Sequence, residues 1–121
     1  MLNVESMTKR IMSNINKRVE TSLTETAQFI IDDVIIKETT PFKSGDTQNS
    51  YRIEKINDKN VLIVVGGKEV GITYVNRIYY HPEFNFNHKF NKNAKGLWLQ
   101  DYTEGKDYSR VLKEFKDNLF R

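Results

Sequence analysis

Cysteine is absent from all 121 residues, so disulfides and thiolate metal sites are excluded and a reducing compartment fits. Histidine is nearly absent: His81 and His88 stand seven apart in a loop, and Glu83 with Asn85 between them gives only a thin likeness to a histidine-asparagine nuclease loop, too little for a zinc or divalent-metal centre. No apolar run approaches the roughly 20 residues that cross a bilayer, and the first residues lack the apolar core of a signal peptide, so a soluble chain without membrane contact is expected. No serine lies in a nucleophile-elbow context. Gly66, Gly67 and Gly71 are followed by no lysine-serine or lysine-threonine pair that would cradle phosphates. Neither internal repeats nor low-complexity linkers occur. These absences together predict a protein that is not an enzyme, with no cofactor, no metal and no small-molecule substrate.

What is present begins with a helix. From residue 4 to residue 36 there is no proline or glycine, and Val4, Met7, Ile11, Ile15, Val19, Leu23, Ala27, Ile31 and Val34 recur at intervals of three and four. One long helix is the simplest expectation. Ser22 and Glu25 also stand in capping-box spacing, which leaves open a break near Thr21. Between Met7 and Ala27 the apolar positions advance by four, so the stripe drifts by about 40° at each step and the two halves of the helix face different bodies. Such a helix is about 50 Å long, whereas a compact domain of this size is about 35 Å across. Residues 1 to about 19 are therefore expected to project as an arm, with Met7, Ile11, Ile15 and Val19 forming an apolar ridge for a neighbour. The competing expectation is that a C-terminal helix folds back over that ridge through Val111, Phe115 and Leu119.

Pro41 disfavours helix at Thr40, and Ser44, Gly45, Asp46, Thr47 and Asn49 supply turn chemistry. Tyr51 and Ile53 then alternate with Arg52 and Glu54 as a half-exposed strand, and Asn57-Asp58-Lys59-Asn60 makes a turn. Val61 to Val65 is apolar at every position, which predicts a strand covered on both faces. A third alternating run is read at Ile72, Tyr74, Ile78 and Tyr80. Residues 81–96 lose all periodicity, and the three aromatics there, Phe84, Phe86 and Phe90, must dock on the domain or on a partner. A short helix carrying Trp98 is expected within 94–102, and an amphipathic helix from near Lys106. The result is one α+β domain over 1–121: a long helix over 1–37 packed on a small antiparallel sheet within 50–80, a loop over 81–96 and a C-terminal helical segment over 97–121.

The formal net charge is +3, and residues 77 to 95, with Arg77, Lys89, Lys92 and Lys95 against only Glu83, account for all of it. A solvated loop is one explanation. The other is a small basic nucleic-acid-binding module in which these cations meet phosphates and the aromatics stack on bases. Basic and aromatic residues do not interleave along one strand face, as a stacking sheet requires.

Pro41, the Ser44-Gly45 pair and Ser50, followed by Tyr74, Arg77, Tyr79, Tyr80 and His81, and then by Asn85, Asn93, Ala94, Trp98 and Tyr102, make a pattern spanning most of the chain. It resembles that of the minor capsid and head-tail connector proteins of tailed bacteriophages. Ser44 stands where threonine is common, and Asp46 intervenes before Thr47. The resemblance implies a neck or tail-completion component of the virion, a homo-oligomeric ring between the portal side of the head and the tail, assembled in the host cytoplasm. It implies contact with adjacent connector or tail proteins and no catalysis. In such a ring Arg77, Lys89, Lys92 and Lys95 would face packaged DNA weakly and without sequence preference.

Overall fold

The computed structural model describes residues 3–41, 47–66 and 72–121. The elements are α1 (Val4–Ile36), a 3-10 turn (Gln48–Ser50), β1 (Arg52–Asn57), β2 (Asn60–Val64), α2 (Ile72–Tyr79), α3 (Gln100–Thr103) and α4 (Tyr108–Leu119). This is an α+β arrangement of a long helix, a two-stranded antiparallel sheet and C-terminal helices.

α1 is unbroken over 33 residues. Asn3 caps its start, its side chain accepting from the Ser6 backbone N–H at 3.0 Å, and Glu5 places negative charge in the first turn. The alternative start near Thr21 is not used, because Ser22 is buried inside the helix and its carbonyl accepts from the Thr26 hydroxyl at 2.7 Å. The helix ends before Pro41: Lys37 is its C-cap, and Glu38 turns into the left-handed region at φ 56°. Of the expected turn residues, Ser44, Gly45 and Asp46 lie outside the described residues. The chain reaches the sheet through the 3-10 turn rather than directly.

The hairpin pairs Arg52 with Val64 and Ile53 with Ile63, and closes at Asn57 and Asn60. Asn57 holds the turn, its side-chain oxygen accepting from the Lys59 backbone at 2.9 Å and from the Asn60 amide at 3.0 Å. At the open end the Ser50 hydroxyl accepts from Gly66 N–H at 2.9 Å, and the Arg52 guanidinium donates to the Gly66 carbonyl.

Two expectations for the 50–80 region are corrected. The run Ile72 to Tyr79 is helix α2, not a third strand: Val75, Ile78 and Tyr79 are spaced three and four apart and reach the core together, a helical period that the alternating tyrosines and isoleucines disguise. Among the described residues the sheet has two strands and β2 is not covered on both faces: Leu62 is 47% exposed, and Val61, Ile63 and Val64 are only half-buried. The segment at 94–102 is likewise mostly turns, with helix confined to α3, and Trp98 lies just ahead of it.

The core sits on the second half of α1. Val34, Val75, Trp98 and Tyr102 form its buried centre, surrounded by Ile30, Ile35, Tyr51, Ile78, Tyr79, Leu99 and Val111. β1 meets α1 on one side through Lys55 and Glu20, 2.7 Å apart. α4 lies antiparallel on another, with Arg110 beside Asp33 at 2.8 Å and Arg121 beside Glu25 at 3.6 Å. Cover from two sides is why Ser22, Thr26, Ala27, Ile31 and Val34 are all buried.

Candidate assembly surface

The surface is built on a clasp just past the C-terminal end of α1, where the carbonyls of Lys37 to Thr40 would otherwise lack partners. Residues 91–95 supply them. The Asn93 side chain donates to the Lys37 carbonyl at 2.9 Å, Asn93 N–H to Glu38 at 3.2 Å, and Lys95 N–H to Thr39 at 3.1 Å. The Asn91 amide donates to the Thr40 carbonyl and to Gln48 Oε1, both at 2.7 Å. Beneath the clasp the Tyr51 hydroxyl accepts from Trp98 Nε1 at 2.7 Å and is hydrogen-bonded to the Thr40 hydroxyl at 2.6 Å. Burial pushes the Tyr51 phenol up to about 12, outweighing its bonds to Thr40 and Trp98. Tyr79 stacks edge-on against Trp98 with centroids 4.8 Å apart.

A polar network locks α4 to the same region. Asp33 accepts two hydrogen bonds from Arg110, at 2.8 and 3.2 Å, and one from the Tyr102 hydroxyl at 2.7 Å. Hydrogen bonding from Arg110 outweighs burial and, with help from Tyr102 and Lys37, holds the Asp33 carboxyl at about 2. Burial opposes ionisation of Asp107, yet hydrogen bonds from Lys37 at 2.8 Å and Arg110 at 2.9 Å prevail and lower its titration. Burial, then the bond to Asp33, pushes the Tyr102 phenol well above its ordinary range. Sequence patterning left this network unseen, although Asp33-Lys37 and Asp107-Arg110 stand at helical pair spacings that signal it.

Held in this way, α1 runs out of the domain. From Asn3 to Ile15 every residue is exposed, with Val4 at 71%, Met7 at 45%, Ile11 at 55% and Ile15 at 45%; Val19 is half-buried at the arm's root. The expected fold-back of the C-terminal helix does not reach them. Phe115 and Leu119 are half-buried on α4, and Arg121, just past its end, meets Glu25. The grooves described along the arm are open and shallow: one lies between Met12, Asn16, Glu20 and the hairpin's Asp58, another along Ile11, Asn14, Ile15 and Arg18.

The loop aromatics split. Phe86 is half-buried, while Phe84 and Phe90 are 37% and 53% exposed, and none of the three joins the buried centre of the core. Phe84 stacks on His81 with centroids 4.7 Å apart and tilts toward Phe86 at 6.5 Å. The four cations are not gathered into one patch by shared contacts. Arg77 is exposed on α2, Lys89 lies over the Phe90 ring at 5.4 Å, the Lys92 backbone approaches Glu38, and Lys95 pairs with Asp101 at 3.2 Å.

Among the described residues no group of three or more histidine or carboxylate side chains is placed to hold a metal ion, and no helix is long and apolar enough to cross a membrane. His81 pairs with Glu83 at 2.6 Å, which lowers the titration of Glu83, and His88 meets the Ala94 carbonyl at 2.9 Å. Compared with known proteins, the chain matches no family model, no curated protein and no solved structure.

Proposed function

We propose that the chain is a non-enzymatic structural component of a tailed-phage virion, a head-tail connector, neck or minor capsid protein that assembles into a ring between portal and tail. The observation that carries this is the arm: an apolar ridge on a helix rooted in a rigid clasp and left uncovered by its own chain. Contiguous exposed apolar surface of this kind suits protein contact rather than small-molecule chemistry. The pattern on which the resemblance rests supports the same view, because Asn93, Ala94, Trp98 and Tyr102 are residues that build the clasp and core. Its partners are further copies in the ring and adjacent connector or tail proteins, with weak non-specific contact to packaged DNA through Arg77, Lys89 and Lys92. It resides in the virion, after assembly in the host cytoplasm.

The test is quantitative mass spectrometry of particles purified from the strain that carries the gene. The full chain is expected at a fixed copy number per particle, and a folded variant lacking residues 2–18 is expected to be missing. Absence of the full chain from particles, together with steep salt-dependent retention on DNA, would replace the proposal with the nucleic-acid module.

A further inference from the structure

The bare ridge of the arm continues the side of α1 that α4 covers. Phe29 and Asp33 meet α4, through the Arg110 guanidinium 5.5 Å from the ring centroid and through Arg110 at 2.8 Å, and Glu25 meets Arg121 just past the end of α4 at 3.6 Å. Met7, Ile11 and Ile15 each stand eighteen residues earlier, about five whole turns at 3.6 residues per turn, so they face the same way. A single seam therefore runs along α1. Over its second half an antiparallel helix fills it, and over its first half it is open.

We propose that a second copy of this chain fills the open half with its own arm, forming a two-fold pair in solution whose arms cross antiparallel near Ile11. Continuity with α4 defines the occupant as a helix running against α1, and the arm of another copy is such a helix. Its ridge repeats at every fourth residue, and two ridges of that spacing interdigitate directly. The ridge also suits itself chemically. Asn14 flanks it with an amide that both donates and accepts, and the Thr8 hydroxyl, which donates to the Val4 carbonyl at 2.9 Å, is left to accept, whereas Arg10 and Lys17 lie roughly 100–120° around the helix and stay apart in the pair. Arg18, the one cation on the ridge, sits at its inner end, seven residues from the crossing. An isologous contact of this kind occupies both ridges in solution, so joining a ring would exchange the paired arm for a neighbour's surface.

The pairing rests on the arm's geometry alone and not on the virion assignment, and the two fail in different experiments. Because the chain lacks cysteine, Ile11→Cys supplies its only thiol. Mild oxidation of this full-length variant at low micromolar concentration is expected to give a disulfide-linked dimer in high yield, with little from Lys17→Cys. Sedimentation of the unmodified chain should give twice the monomer mass, and Ile11→Asp should return it to the monomer. Far-UV circular dichroism and Trp98 fluorescence monitor folding in each variant, and Ile11, at 55% exposure, is not a core position. The pairing is overturned by a wild-type monomer at every concentration up to the solubility limit, by equal cross-linking of Lys17→Cys, or by a folded Ile11→Asp variant that still dimerises. A monomer that nonetheless enters particles would remove the pair and keep the connector. A dimer absent from particles would do the reverse.

Discussion

Tyr51 is a strand-entry residue whose hydroxyl ties together three distant parts of the chain, Thr40, Trp98 and the start of β1. Tyr51→Phe removes the hydroxyl while keeping the ring, stranding the Trp98 indole N–H and the Thr40 hydroxyl. Because Trp98 is 1% exposed and Thr40 fully buried, the expected cost is about 1–3 kcal/mol in urea unfolding. Asp33 makes a pH prediction. Its carboxyl titrates near 2 in the folded chain against an ordinary 3.8, so the stability it contributes is present above pH 3.8 and is lost as the pH falls through 2. Discounted for solvent screening, that is on the order of 1 kcal/mol, and Asp33→Asn should flatten the acid limb of a stability-pH profile. Glu38, left-handed without being glycine, is expected to accept Glu38→Gly with a change within about 1 kcal/mol, relief of strain offsetting the weak 3.4 Å contact to Lys92 N–H. At this scale the sequence was partly legible. Asn93, Trp98 and Tyr102 stood out together only through the family resemblance, and their partners lie 47 to 69 residues away, a distance no local pattern encodes.

The elements were legible in proportion to their length. α1 repeats its period over 33 residues and is read with little ambiguity, while the eight residues of α2 carry apolar side chains that satisfy both a two-residue and a helical period. Tertiary context decides there, because Val75 must meet Val34 and Trp98. The hairpin was read correctly in its strands and turn, but its expected burial depended on a third strand at Ile72 to Tyr80, where the chain is helix over Ile72–Tyr79, and no residue within Val61 to Val65 records that. Half-burial lowers what Ile63→Ala should cost from the several kcal/mol of a filled core site to about 1–2 kcal/mol, measurable by thermal unfolding. Removing residues 2–18 cuts no described core contact. A cooperatively folded domain should remain, with its Trp98 fluorescence unchanged and its helical signal reduced in proportion to the deleted turns.

For the whole molecule, the exposed ridge was visible in advance because a helix longer than its domain must overhang, whereas the clasp that makes the overhang useful emerged only from the fold. Asn91, Asn93 and Lys95 grip Lys37 to Thr40, Arg110 and Tyr102 grip Asp33, and Lys55 steadies Glu20. All these grips fall between residue 20 and residue 40, and none lies farther out. Mechanically, α1 is a lever fixed at one end. The free length from residue 4 to residue 19 is about 24 Å at 1.5 Å per residue, so a tilt of about 10° at the root carries the tip through about 4 Å. Small rotations at the grip thus become side-to-side travel as wide as a methyl group or more at the tip, so whatever meets the ridge can be reached without the domain behind it being held at one fixed angle.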